Sequence, residues 1–292
     1  MLKFSKTSHK KKIRSILKNY YYDKNLKVYK TQITAKKQFK EIELRKKVAT
    51  RYYVDHLNEI SKHHSVNVMD NEIKFFLEKV PKNSLVCDLG GGWAWHWRNL
   101  NKTRPDIKIF IVDFVIENFE IAKFFIGKNL NKNIYLINDD ICNLKIKNNI
   151  FDSVWSVQTF QHIPDYTKSV KNTFRILKEG GTFFDYSLNE NQIVKFIRNI
   201  MRKQYIIKGT THLFYLNRSI SSKIRIIKKI FKNNVSFRYC EILFHPDLKI
   251  FFSGKKNNFI GKIDSYLSGF ESYKKKFARQ ICFIVNKKLS SS

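Results

Sequence analysis

Five short apolar runs lie between residues 84 and 186: Ser84–Leu89, Lys108–Asp113, Asn133–Asn138, Phe151–Ser156 and Gly181–Tyr186. Each is the length of a strand and apolar enough to be covered on both sides. Helix-forming segments fill most of the gaps, among them Ile116–Ile126 and Tyr166–Lys178. In the second, Asp165 reads as the N-cap and Gly180 as the stop. Strands alternating with helices imply a parallel sheet with helices on both faces.

The flanks read differently. Residues 1–48 are polar, rich in Lys and poor in Gly and Pro, with stretches such as 36–45 of helix-forming composition. Between Tyr52 and Val80 the apolar positions Ile73, Phe76, Leu77 and Val80 recur at helical spacing, and Pro81 ends the pattern. After Asn189 come two basic amphipathic stretches, Gln192–Met201 and Ser221–Phe231. Two last strands follow, Val235–Phe244 and Gln280–Val285, and the segment between them, with Leu267, Phe270 and Tyr273, reads as a cap. The division expected is a basic helical extension over residues 1–50 and one domain over 51–292, with a ligand-binding core at 84–189.

The net charge of +32 belongs to those flanks. Residues 1–50 hold 16 Lys and Arg against 3 Asp and Glu, and residues 190–292 hold 22 against 5. Residues 84–189 are almost balanced, 13 against 11. Two explanations stay open. One is an electrostatic footprint for nucleic acid, anionic lipid or a phosphorylated substrate. The other is coding bias, because Lys outnumbers Arg 44 to 12 and Asn, Ile and Phe abound. No apolar run approaches the ~18 residues of a membrane span, and the amino-terminal residues show no signal-peptide pattern. Four scattered cysteines without a C-x-x-C pair fit a reduced, cytoplasmic protein with no disulfide framework and no metal site.

The residues that carry chemistry stand where the strands end. Asp88-Leu89-Gly90-Gly91-Gly92 follows the first strand, Asp113-Phe114 the second, Asp139-Asp140-Ile141 the third and Val157-Gln158 the fourth. Sheets of this kind bind ligands outside the carboxyl ends of their strands. Glycine lets backbone approach a ligand closely. Asp113 suits a ribose diol, Asp140 an exocyclic adenine amine and the Ile141 N–H a ring nitrogen. Phe114 and Ile141 suit the two faces of a base. Any one of these acids alone reads equally as a helix cap; the series in register does not. A nicotinamide fingerprint, G-x-G-x-x-G, fails because Trp95 occupies the last glycine position.

This stretch resembles the type 11 group of class I S-adenosylmethionine-dependent methyltransferases. Val86–Gly92 is similar to its first motif, Ile111-Val112-Asp113 to its ribose-binding end and Asn138–Ile141 to its adenine-contact segment. Phe151–Ser156 and Ile176–Phe183 resemble its fourth and fifth elements. The resemblance implies a Rossmann-like α/β fold with a mostly parallel seven-stranded sheet. It also implies S-adenosylmethionine bound by Asp88, Gly90, Gly91, Gly92, Asp113, Phe114, Asp140, Ile141, Val157 and Gln158. One departure stands out: Ala94 occupies the place of the family's third glycine.

The sequence leaves the acceptor open. His162, after the fourth strand, is the candidate general base, because an imidazole titrates near neutrality; the alternative is a histidine that shapes the loop before Pro164. His245, in Phe244-His245-Pro246-Asp247, is the second candidate. Among Trp93, Ala94, Trp95, His96 and Trp97, the readings are core aromatics or an acceptor-side wall. The first functional expectation is O-methylation of a small molecule or glycan, such as a sugar, nucleotide-sugar, lipid or quinone precursor. The second is RNA methylation with the basic flanks on phosphates, not favoured because base-methylating motifs are missing. The third is a non-catalytic binding protein. Peripheral membrane contact by the amphipathic stretches and the oligomeric state stay open.

Overall fold

In the computed structural model, residues 3–33, 64–189, 219–241 and 269–289 are described without a break. Short pieces at 42–43, 46, 196–197, 199–202, 259, 262–263 and 266–267 complete the described set. Most of the helix expected over 36–45, half of the stretch Gln192–Met201, and His245 lie outside the described residues.

The order is α1 (Lys3–Leu17), β1 (Tyr21–Asp23), β2 (Val28–Lys30), α2 (His64–Lys79), β3 (Leu85–Leu89), α3 (Leu100–Thr103) and β4 (Lys108–Asp113). Then come α4 (Asn118–Ile126), β5 (Ile134–Asn138), β6 (Phe151–Val157), α5 (Tyr166–Ile176) and β7 (Leu177–Leu188). The last elements are α6 (Ile220–Phe231), β8 (Ser236–Cys240), α7 (Glu271–Phe277) and β9 (Gln280–Asn286). All nine strands join one sheet in the order β1-β2-β5-β4-β3-β6-β7-β9-β8. From β2 through β7 the pairings are parallel; β9 runs antiparallel between β7 and β8. The chain builds outward from β3 to β4 and β5, then crosses back to β6. The crevice at that reversal, beside the carboxyl ends of β3 and β6, is where such a sheet takes a ligand.

Both faces of the sheet are buried, as the continuous apolar strands require. On one face Ile16 and Leu17 of α1, Val170 and Ile176 of α5, and Ile227 and Phe231 of α6 pack over Phe110, Val154 and Phe183. On the other, Phe76 and Leu77 of α2, Trp97 and Phe119 pack over Ile109, Trp155 and Phe184. Phe76 meets Trp155 and Phe184 at 4.8 and 5.0 Å between ring centres. The helical spacing of Ile73, Phe76, Leu77 and Val80 is therefore the inward face of α2. The four cysteines are buried and unbridged.

Three expectations need correction. Among the described residues the sheet has nine strands, not seven, because residues 21–30 form a hairpin where helix was expected. Its strands are three residues each, too short to show a period. Asp23 closes the turn by accepting the Asn25 and Leu26 N–H groups and the Lys30 ammonium. Docking of β2 on β5 then holds the hairpin. Gly180 is not the stop of α5: the helix ends at Ile176 and passes straight into β7, where Gly180 sits at φ +73°. The Lys287 ammonium, arriving at the end of β9, donates to the Phe174 and Leu177 carbonyls instead. The expected cap Asp165 does accept the Lys168 N–H, at 2.9 Å.

Candidate active site

Four loops leave the carboxyl ends of β3, β4, β5 and β6, and hydrogen bonds join them. The Gly92 N–H donates to Asp113 Oδ2 at 3.0 Å, which ties the loop after β3 to the end of β4. Asp113 Oδ1 accepts the Val115 N–H at 2.8 Å and lies 3.4 Å from the Asn118 amide. Asn138 reaches from β5 to the Asp113 carbonyl at 2.9 Å. From the loop after β6, the Thr159 hydroxyl donates toward the Gly90 and Val157 carbonyls, and within β6 the Ser156 hydroxyl donates to the Leu89 carbonyl. Gly90, at φ +77°, is required twice over, because a Cβ there would fall 2.2 Å from the Thr159 side chain.

Asp88 is buried and packs against Gly91. Its Oδ2 accepts the Trp97 indole N–H at 2.6 Å. Burial pushes its carboxyl up to about 7, with the nearby Asp113 adding to the rise and the Trp97 bond opposing it. Trp97 is thus both a core residue and the anchor of the glycine loop. Trp93 donates to Asn118 Oδ1 at 3.0 Å, and Trp95 meets Phe125 edge-on. His96 lies beside Trp155, and burial together with the Arg98 guanidinium pushes it down to about 4. These aromatics pack the turn after the glycines. Ala94, where the resemblance calls for glycine, is buried at φ +59° and begins that turn. The fold keeps the left-handed conformation there and imposes it on alanine, at about 1–2 kcal/mol.

The segment after β5 turns two acids to different tasks. Asp140 caps the turn Ile141–Asn143, its Oδ1 accepting the Cys142 N–H and its Oδ2 the Asn143 amide. Asp139 accepts from Tyr20, the Lys145 N–H and the Asp140 N–H. Tyr20 thus lets the amino-terminal segment order this loop from 119 residues away. Sequence reading had no pattern by which to find Tyr20, Thr159 or Asn118. Phe114 is half-buried and Ile141 buried. Val157 and Gln158 are half-buried, and Gln158 takes φ +52° while donating its N–H to the Tyr186 carbonyl.

His162 ends the turn Phe160–His162, half-buried, with its N–H on the Thr159 carbonyl. Its Nε2 lies 3.2 Å from Gln161 Nε2. Gln161 Oε1 accepts the Leu188 N–H, which fixes the amide orientation. The amide therefore donates to the ring, and the imidazole proton of the neutral form belongs on Nδ1. Among the described residues no group of three His, Cys, Asp or Glu side chains could hold a metal ion.

With this geometry in place, comparison with known proteins is decisive for the core. Residues 87–185 match the family described as Methyltransferase domain, the type 11 group. The chain carries a methyltransferase domain. Among solved structures, a Haloferax volcanii complex of the Trm112 methyltransferase activator with a provisionally named methyltransferase shares the fold. It aligns with a TM-score of 0.54 and 15% identity, over 87% of this chain and 98% of that one. The 4+2 cyclase SpnF aligns at 0.51 and 14%, over 76% and 82%. A provisionally named sarcosine dimethylglycine methyltransferase from Galdieria sulphuraria aligns at 0.50 and 14%, over 75% and 84%. At such identities the likeness is one of fold. No curated protein matches by sequence.

The cofactor of this domain is S-adenosylmethionine. A Cβ placed on Gly92 would meet nothing closer than 3.9 Å, and the atoms there are Asn118 Nδ2 and Asp113 Oδ2. The glycine loop thus opens a space bordered by the carboxylate that suits a ribose diol.

Two outcomes follow from the loop. Ala94→Gly removes the left-handed strain, so the free energy of unfolding should rise by about 1 kcal/mol in denaturant melts; an unchanged or lower value contradicts the strain. Asp88 has a carboxyl raised above its unfolded value, so the folded state holds the extra proton. Its contribution to stability is complete below the ordinary carboxylate range and is lost as pH rises to about 7. Melts of Asp88→Asn across that range should lack this decline, whereas a mutant with the wild-type slope would assign it to another group.

Proposed function

We propose that this S-adenosylmethionine-dependent methyltransferase acts on a hydroxyl oxygen of a small molecule or glycan. The observation that carries the reading is the position of His162, on the loop whose Thr159 is bonded to the glycine loop. S-adenosylmethionine supplies a methyl already activated on a sulfonium. This chain's own residues have to hold, orient and deprotonate. Asp113 accepts from the ribose hydroxyls. Asp140 shapes the turn that offers the Ile141 N–H to the base, while Phe114 and Ile141 line its faces. Asp88 and Trp97 hold the glycine loop in shape. Gly90, Gly91, Val157 and Gln158 complete the wall by backbone and apolar contact.

Oxygen acceptors need a base; alignment accounts for the rest, and alone supplies ~7–11 kcal/mol. His162 Nε2 is the nitrogen free of a proton in the neutral ring, so it is the atom that takes one. Protonation turns Nε2 into a donor facing the Gln161 amide donor, so Gln161 must rotate or yield its place to the acceptor hydroxyl. Gln161 therefore acts as a placeholder that keeps Nε2 unprotonated. The surplus of cations on the flanks favours one second reading, RNA methylation, in which the flanks bind phosphates.

A labelled methyl donor incubated with glycan, lipid and RNA fractions separates the readings. Label in the glycan or small-molecule fraction, insensitive to salt, is the expected result; label in RNA, lost steeply with salt, overturns it. With an acceptor in hand, His162→Ala should lower kcat by roughly 10²–10⁴ and leave cofactor affinity unchanged. The wild-type rate should rise with pH through the imidazole range, and the mutant should lose that rise. A mutant that keeps the pH profile but loses stability would make His162 a loop-shaping residue.

A further inference from the structure

We propose that the layer formed by α1, α5 and α6 docks on an anionic lipid bilayer. This does not rest on the choice of acceptor. The three helices cover one whole face of the sheet, and none of them contains an acidic residue. Lys10, Lys11, Lys12, Arg14, Lys168, Lys171, Arg225, Lys228 and Lys229 are exposed on them. Lys145 and Lys147 are exposed on the loop between β5 and β6, which the turn just after α1 touches through the bond from Asn19 to the Lys145 carbonyl. The one buried lysine of the layer, Lys223, lies close enough to buried Asp185 to favour its ionised form.

The opposite layer is built from the same lysine-rich chain and looks different. There α2 carries Asp70, Glu72 and Glu78 with Lys74 and Lys79, and α4 carries Glu120 with Lys123. Several of its cations are paired: Arg98 with Asp70, Arg104 with Asp106, Lys123 with Glu120. Coding bias raises lysine everywhere and does not choose a face. A one-sided field of cations that form no ion pair among the described residues is what an extended anionic surface attracts.

Between the two polyanions that offer phosphates, the side chains favour lipid. Binding of single-stranded nucleic acid combines cations with aromatic platforms for the bases. Among the residues of these helices whose side chains are described, from Lys10 onward in α1, no aromatic ring is offered: Tyr166 and Phe231 are buried, and Phe174 packs between Phe231 and the Lys287 ammonium. Instead Ile13, Ile224, Ile226 and Ile230 are half-exposed beside the cations. Apolar shoulders flanked by lysines are the pattern of an interfacial helix. No helix among the described residues is long and apolar enough to cross a membrane, so the contact is peripheral.

The test is co-sedimentation of the full chain with vesicles of phosphatidylglycerol mixed into phosphatidylcholine, with pure phosphatidylcholine vesicles, and, separately, binding to a single-stranded RNA oligonucleotide. Binding to the anionic vesicles alone, lost between about 0.05 and 0.5 M salt, is expected. Lys171→Glu, Lys228→Glu and Lys229→Glu together should cut vesicle partitioning at least about tenfold. Lys74→Glu, Lys79→Glu and Lys128→Glu together should leave it nearly unchanged. Thermal melts check folding, and Gln versions replace any reversal that does not fold. Equal loss in the two triple variants, failure of the wild type to bind anionic vesicles, or tight RNA binding without vesicle binding each overturns the proposal.

Discussion

The hydrogen bond from the Gly92 N–H to the Asp113 carboxylate is the constraint on which the site depends. It fixes the loop after β3 against the end of β4, and every other loop is registered to one of these two. Thr159 fastens the loop after β6 to Gly90, and Asn138 fastens the end of β5 to Asp113. A turn tight enough to make that bond needs left-handed backbone, which the chain accepts even at Ala94. Trp97 then holds the turn from below through Asp88. A core aromatic, a buried acid and a strained alanine thus serve one purpose, which is to keep backbone clear of the space beside Asp113.

The central sheet was legible because its strands are buried on both faces and so read as unbroken apolar runs. The order of glycines and acids at their ends was legible for the same reason, since each residue falls where a strand must stop. The hairpin at residues 21–30 was not, because three-residue strands carry no period and owe their pairing to β5. Nor was the end of α5, where Gly180 invited a helix stop and Lys287 supplies the cap from the far end of the chain. Tyr20, Thr159 and Asn118 escaped because their partners are set by topology rather than spacing.

The electrostatics divide the molecule in two. Around the crevice, burial raises the Asp88 and Asp139 carboxyls and lowers one imidazole, and backbone N–H groups satisfy the Asp113 carboxylate. Across the sheet, the α1–α5–α6 layer leaves most of its described cations open to solvent. A closely bonded site and a cationic flank are compatible with an acceptor delivered at a charged surface. Nothing in the crevice requires that the acceptor be charged itself.

The central claim is that the Gly92–Asp113 crevice holds S-adenosylmethionine, and titration calorimetry with its demethylated product, S-adenosylhomocysteine, tests it without any acceptor. The account predicts binding at one site per chain, weakened about tenfold to a hundredfold in Asp113→Ala, in line with the ~1.5–3 kcal/mol of a hydrogen bond to a charged group. No heat of binding to the folded wild type, or equal affinity in the folded mutant, would contradict it.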